Sequence, residues 1–215
     1  MNVKIGTAFL MLLVAPTANA QGFAGLGTDA EGFAMPRRGQ AFDFPSDHGA
    51  HPEFRIEWWY LTSTLTGDDG RSYGIQWTLF RSALKPYEDV GWASPQLWMG
   101  HAALTGENIH LYDERIARGG IGQAGVSAEP FSAWIDDWKM TGQPNRGLSE
   151  LDLTAGGETF RYDLVLNADS PLVLHGASGY STKTDDGKAS YYYSQPSYSV
   201  TGTLHLPDGP VSVTG

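Results

Sequence analysis

An alternation of side-chain character with a period of two, between Phe54 and Leu61, constrains the fold more than any other feature of this sequence. It separates Phe54, Ile56, Trp58 and Tyr60 on one side from Arg55, Glu57, Trp59 and Leu61 on the other. Such a period is that of a β-strand. The turn-forming residues 66–71 follow, and a second alternating segment spans residues 73–81. The two segments therefore predict an antiparallel hairpin.

Short alternating segments continue along the rest of the chain and are separated by turn residues. None of them has the sustained helical period with caps that a helix would show. About nine strands in this arrangement predict an all-β fold, an antiparallel barrel or sandwich. The further predicted strands cover residues 96–104, 109–117, 132–140, 148–154, 159–167, 189–194 and 198–206.

The first twenty residues have the three parts of a secretory signal peptide. Lys4 supplies the positive charge, residues 5–15 form a short apolar core, and Ala18 and Ala20 form a small-x-small cleavage site. We expect cleavage after Ala20 and a periplasmic or secreted protein. Residues 21–40 are predicted to be a flexible segment, and residues 41–215 to form the folded domain.

Charge and cysteine content exclude several classes of partner and stabilisation. The formal net charge is −10, which argues against a nucleic-acid partner held through its phosphates. The sequence has no cysteine, so a disulfide framework and a lipid-anchored N-terminal cysteine are both excluded. Neither a P-loop, a G-x-S-x-G elbow nor an H-E-x-x-H helix motif occurs. We expect no cofactor and no bound metal.

The densest group of titratable residues lies in a loop and at the start of the strand that follows it. Asp47, His48 and His51 belong to the loop, and Glu57 follows beside the aromatic residues 58–60. Polar groups at the mouth of an aromatic strand are suited to proton transfer. The same residues could instead tie a turn, and the His-x-x-His spacing is only a weak metal motif. Arg55 and Glu57 could form a buried pair or part of a site.

Other candidates occur in three later strands. His101 lies in an apolar strand, where a histidine is either a satisfied core group or a catalyst. Tyr191, Tyr192 and Tyr193 alternate, so two phenols would share one face and the third would occupy the other. Trp134 and Trp138, at even spacing in one predicted strand, would point the same way and contact a ligand or fill a barrel.

Several of these motifs together resemble the AttH/CrtC-like family. They are P-x-D-H-G-A-H-P-E-F-R-x-E-W-W-Y at 45–60, Q-W-T-L-F-R at 76–81, G-H-A-A-L at 100–104 and A-S-Y-Y-Y-S-Q-P at 189–196. The resemblance implies a lipocalin-like (calycin-type) β-barrel, the first of two such domains, with the second truncated. The end of the chain, at 211–215, also resembles the middle of a strand, which favours a fragment. Family members include secreted lipocalin-like proteins and carotenoid 1,2-hydratases, which use no redox cofactor.

We therefore expect an exported protein that binds an isoprenoid-like or polyene-like apolar molecule in an oily hollow, either as a cofactor-independent hydratase or as a non-catalytic carrier. Association with a membrane transporter system is a further expectation, and a carbohydrate-binding sandwich is a third alternative. The predicted catalytic residues are Asp47, His48, Glu57 and His101. The predicted substrate-binding residues are Trp58, Trp59, Tyr60, Trp134, Tyr191, Tyr192 and Tyr193.

Overall fold

Antiparallel strands form at the segments where the sequence alternates. The structure, a computed structural model, describes residues 32–185 and 188–215. The predicted signal peptide and most of the predicted flexible segment lie outside these residues. None of the helices in the described ranges is long and apolar enough to cross a membrane.

Fifteen strands and two short 3-10 helices make up the described chain. The 3-10 helices are Ser46–His48 and Gly91–Ala93. The strands are β1 (Ile56–Gly67), β2 (Ser72–Ala83), β3 (Gln96–Thr105), β4 (His110–Arg118), β5 (Ala124–Ala128), β6 (Phe131–Ile135), β7 (Trp138–Gly142), β8 (Glu150–Gly156), β9 (Arg161–Ala168), β10 (Val173–Leu174), β11 (Tyr180–Thr182), β12 (Ala189–Tyr191), β13 (Tyr193–Ser194), β14 (Tyr198–Leu206) and β15 (Gly209–Thr214).

Eleven of these strands form one sheet in the order β4-β3-β2-β1-β15-β14-β9-β8-β7-β6-β5. Its two halves join where β1 meets β15, through the pairs Thr66–Thr214 and Gly67–Val213 alone. The sheet curls into a nearly closed antiparallel barrel. The predicted all-β, lipocalin-like fold class is thus confirmed, as is the first hairpin, in which β1 and β2 pair from Ile56–Ser82 to Thr66–Ser72.

The inside of the barrel is packed with side chains. Trp77 from β2 and Trp138 from β7 are fully buried, as is Tyr162 from β9. Gly100 of β3 leaves the space that Trp138 occupies, because a Cβ added at Gly100 would lie 3.2 Å from the indole ring. The expectation of an oily hollow inside the barrel is wrong for the described part of the chain, because large rings from several strands belong to one buried core there.

The predicted strand at 132–140 is two strands joined by a tight turn. Asp136, with φ 54°, adopts the left-handed conformation that an aspartate tolerates, and the chain reverses there. Trp134 pairs with Lys139, and Ile135 pairs with Trp138. Trp134 and Trp138 therefore lie on opposite faces of the sheet. The prediction that they share a face is wrong.

Candidate functional site

The loop before β1 folds across one end of the barrel. Its 3-10 helix places His48 in the interior, where the side chain is 3% exposed. The Trp59 indole Nε1 donates a hydrogen bond of 3.0 Å to the His48 carbonyl oxygen. The Trp59 ring also stacks on Trp98 with ring centres 5.9 Å apart. The loop is thus fixed to the inner face of β1.

A fully buried arginine holds this loop in place. The Arg81 Nε donates to Glu57 Oε2 at 2.7 Å, and its Nη2 donates to the carbonyl oxygens of His51 and Phe54, each at 2.7 Å. Its Nη1 donates to Gln96 Oε1. Four acceptors therefore surround one guanidinium, which is the arrangement that a buried charge requires.

His51 connects the two acidic residues of the loop and strand. Its Nδ1 lies 2.7 Å from Glu57 Oε1, its backbone N–H donates to Glu57 Oε2 at 2.8 Å, and its Nε2 lies 3.4 Å from Asp47 Oδ1. The hydrogen bond with Glu57 raises the pKa of His51, with a smaller contribution from Asp47. Two carboxylates thus contact the His51 imidazole, and Glu57 also accepts from the Arg81 guanidinium. We call Asp47, His48, His51, Glu57, Arg81 and Tyr193 the rim cluster.

His48 has a different environment from His51. Its ring stacks on Phe44 with centres 4.6 Å apart. The Tyr193 hydroxyl donates to the Asp47 carbonyl oxygen at 3.1 Å, so the His48 Nδ1–H, 2.8 Å away, donates to that hydroxyl. Burial lowers the pKa of His48 to about 4, against the opposing effect of Asp47 and Glu129. His48 is therefore neutral at pH 7 and acts here as a hydrogen-bond donor inside the rim cluster.

The two histidines of the rim cluster are predicted to make opposite contributions to the pH dependence of stability. The unfolded chain protonates His48 near pH 6.5 and the folded chain near pH 4, so the free energy of unfolding falls as the pH drops through that window. His51 has a raised pKa, so its stabilisation is complete below about pH 6.5 and is lost as the pH rises through its folded value.

Chemical denaturation of His48→Asn and His51→Asn variants between pH 4 and 8 checks this prediction, because the Asn amide replaces the Nδ1–H donor. His48→Asn should flatten the curve below pH 6.5, and His51→Asn should flatten it above. His110→Asn, at an exposed position in β4, is the control and should change neither limb. Equal flattening by all three variants would contradict the assignment.

A second group of predicted site residues lies on the outward side of β1–β4, which we call the outer face. Trp58 pairs with Phe80, Phe80 with Met99, and Met99 with Ile116, so these four side chains form one row across the strands. We call them the apolar row. Ile116 is 76% exposed, and the other three are half-buried.

A row of polar residues runs beside the apolar row. The register places Tyr60, Thr78, His101 and Glu114 across the same four strands, and we call them the polar row. His101 Nε2 lies 3.7 Å from Glu114 Oε1, and its ring contacts Phe80 edge-on at 5.6 Å. Tyr60 is 44% exposed, whereas Thr78 between Tyr60 and His101 is 5% exposed. The His101 imidazole and the Glu114 carboxylate therefore lie directly beside an aromatic surface.

The segment from β10 to β13 adds a second phenol to this edge. The hydroxyls of Tyr60 and Tyr192 form a hydrogen bond with each other, and we call these two residues the phenol pair. His175 stacks on the Tyr192 ring with centres 4.2 Å apart, and Lys183 Nζ lies 4.7 Å from the ring centre. Burial and the bond to Tyr192 raise the pKa of Tyr60 to about 12, so its hydroxyl stays protonated at pH 7.

The structure thus divides the predicted site residues between two places. Asp47, His48, Glu57, Trp59 and Tyr193 meet at the rim, whereas Trp58, Tyr60, His101 and Tyr192 lie on or beside the outer face. The tyrosines alternate as predicted, since Tyr191 and Tyr193 both contact Phe42 and Tyr192 turns away. Trp134, against Gly125 on the outer side of β6, joins neither group.

His101 is therefore separated from the acidic residues of the rim by the sheet itself. The sequence predicts that Arg55 and Glu57 form a buried pair or part of a site. In the structure Glu57 forms its buried pair with Arg81, and Arg55 precedes the start of β1. Within residues 32–185 and 188–215, no three His, Asp or Glu side chains are grouped so as to hold a metal ion. His48 and His51 are directed to different partners, Tyr193 and Glu57.

Sequence reasoning missed Arg81 and Gln96. Arg81 continues the buried alternation of Tyr73, Ile75, Trp77 and Leu79. The period of β2 therefore predicts that the Arg81 side chain faces the interior of the barrel. A buried arginine requires carboxylate and carbonyl partners, which would have indicated Glu57. Gln96 has no comparable local signal, because its role depends on the pairing of β2 with β3.

Two surface concavities lie away from both groups. One, of about 330 Å³, is lined by charged residues that include Asp113, Arg115 and Asp137. The other, of about 580 Å³, lies at the turns that follow β1 and β3, beside Arg71 and Gly106. Neither is lined by a predicted site residue.

The fold and this arrangement define the class of protein, a lipocalin-like antiparallel barrel with a filled interior. The AttH-like family model matches residues 35–215, so the chain belongs to the AttH-like family. Comparison with curated proteins gave no match. A crystal structure assigned as an AttH protein, from Nitrosomonas europaea, is 34% identical with a TM-score of 0.74, covering 85% of this chain and 55% of that one.

A second solved structure shows the same fold at low identity. Kievitone hydratase from Nectria haematococca superposes with a TM-score of 0.59 at 11% identity, over 85% of this chain and 51% of that one. The chain thus spans about half the length of both structures.

Proposed function

We propose that this chain binds an apolar small molecule on its outer face, with the apolar row as the contact surface. The observation that carries the proposal is the row itself: Trp58, Phe80, Met99 and Ile116 lie side by side on the accessible face of a sheet. An apolar row beside hydrogen-bonding groups is typical of ligand sites.

The packed interior supports this location. Trp77, Trp138 and Tyr162 occupy the barrel centre where a lipocalin-like carrier would hold its ligand. A molecule on an open sheet face buries only one of its sides, so the affinity of this chain is expected to be modest. We further propose that the other half of the longer relatives covers the open side, in the two-domain arrangement expected from the sequence.

Trp58→Ala tests the proposal with retinol, a fluorescent isoprenoid alcohol, as the probe. Removing a half-buried indole from the contact surface should weaken retinol binding about fivefold, which is about 1 kcal/mol. Trp92→Ala is the matched control, since Trp92 is 72% exposed in the 3-10 helix Gly91–Ala93, and should leave affinity unchanged. Equal affinity of the wild type and Trp58→Ala, or saturation by oligosaccharides alone, would contradict the proposal.

Hydration of a carbon–carbon double bond is the second candidate. The His101–Glu114 pair beside Phe80 favours it, because an imidazole next to a carboxylate is a general acid–base group. Proton transfer to one alkene carbon would form a cation, and water would add to the other carbon and release a proton, for a net gain of one water. The similarity to a kievitone hydratase supports a search for this chemistry.

Mass spectrometry distinguishes the two candidates. A product one water heavier than the added alkene, lost in His101→Gln while retinol binding persists, would favour the hydratase. Binding without product in the wild type would favour the carrier.

We also propose, from the sequence, export after cleavage at Ala20 and association with a transporter. If the export proposal is right, N-terminal sequencing of the mature protein should begin at Gln21.

A further inference from the structure

The phenol pair has two hydroxyl protons, and only one of them is donated in the hydrogen bond between the two hydroxyls. Each phenol carries one proton, and a single bond between two hydroxyls uses one of them. Among the described residues, the hydroxyls of Tyr60 and Tyr192 have no other hydrogen-bond partner. One O–H donor is therefore left over, whichever residue donates within the pair.

The surroundings hold this donor in place beside the apolar row. Tyr60 follows Trp58 by two residues on the same face of β1. The Tyr192 backbone is fixed, because its N–H donates to the Gly179 carbonyl oxygen at 2.8 Å and its carbonyl oxygen accepts from the His175 N–H at 3.0 Å. The His175 stack and Lys183 position its ring. The donor is thus a fixed group on a rigid support.

We infer that the phenol pair recognises an acceptor oxygen on the ligand, so that the ligand class is an apolar chain or ring carrying a hydroxyl, ether or carbonyl oxygen near one end. The inference rests on the proposed function and names its substrate class. The apolar row contacts the hydrocarbon part, and the surplus O–H donates to the oxygen.

Proton counting gives a distinctive expectation for variants. If either tyrosine is replaced by phenylalanine, the remaining phenol still has one proton to donate. Only the double replacement removes the donor. The rings, the His175 stack and the contact with Lys183 are retained in every case, because phenylalanine differs from tyrosine by the hydroxyl alone.

The experiment measures the dissociation constants of farnesol, farnesyl methyl ether and the hydrocarbon farnesene. In Tyr60→Phe/Tyr192→Phe, farnesol and its ether should bind about threefold to tenfold more weakly than to the wild type, the range for one neutral hydrogen bond, and farnesene should bind equally well. Tyr60→Phe alone should keep the preference for farnesol and its ether over farnesene, because Tyr192 still supplies one O–H donor. Tyr87→Phe, 45% exposed in the connection between β2 and β3, is the control and should have no effect.

Two results would overturn the inference while leaving apolar binding intact. One is an equal loss for all three compounds in the double variant, which would indicate a structural effect. The other is unchanged binding of all three in the double variant. If none of the three compounds binds to the wild type, the proposed function and this inference are both overturned.

Discussion

Arg81→Met should lower the free energy of unfolding by about 3–5 kcal/mol, the cost of removing one partner from a buried ion pair. The side chain of Arg81 is 0% exposed and that of Glu57 is 15% exposed. Methionine preserves much of the volume but leaves the Glu57 carboxylate, the Gln96 amide oxygen and two backbone carbonyl oxygens without their donor. Urea denaturation followed by tryptophan fluorescence measures the change.

Arg71→Met is the matched control for this substitution. Arg71 is 68% exposed and lies 3.9 Å from Asp69, so its loss should change stability by less than about 0.5 kcal/mol. Adding Glu57→Gln to Arg81→Met should recover part of the loss, because the buried negative charge is then absent. An Arg81→Met protein within about 1 kcal/mol of the wild type would show that the rim cluster does not hold the loop in place.

Trp138→Ala should lower the free energy of unfolding by about 3–5 kcal/mol, because it empties the centre of the barrel. Trp138 is fully buried, its Nε1 donates to the Gly156 carbonyl oxygen at 2.7 Å, and the Arg115 guanidinium lies 4.3 Å from the ring centre. Alanine removes the hydrogen bond and the contact with Arg115, and leaves a void opposite Gly100. Thermal and urea unfolding measure the loss.

The comparison variant Trp92→Ala separates packing from the mere loss of an indole. Trp92 is 72% exposed, so its replacement should change stability by less than about 0.5 kcal/mol. If Trp138→Ala were as stable as the wild type, the barrel would have to be hollow or to collapse without cost, and the packed interior described here would be wrong.

The strands could be predicted because each one carries its own signal. The alternation of β1 and β2, with turn residues between them, predicted both the hairpin and which side chains share a face, such as Trp59 and Leu61. The turn after β6 was not predicted, because apolar residues continue at even spacing on both sides of Asp136. The pattern therefore predicted one strand where the structure has two short ones. Only the left-handed conformation of Asp136 separates them.

The division of the site could not be predicted from local patterns. The alternation did place Trp58 and Trp59 on opposite faces, but not which face would be closed by the rest of the chain. That depends on long-range packing, above all on Trp138 reaching the space beside Gly100. The partners of Glu57 likewise depend on the pairing of β2 with β1 and β3, since Arg81 lies 24 residues further along the chain.

Two methionines can report whether the ligand binds on the outer face or inside the barrel. Met99 belongs to the apolar row, whereas Met140 is buried inside the barrel, 5% exposed. With ¹³C-methyl-labelled methionine, a titration with farnesol followed by NMR should shift the Met99 methyl resonance progressively and leave that of Met140 unchanged. A shift of Met140 with Met99 unmoved would place the ligand inside the barrel and contradict the account.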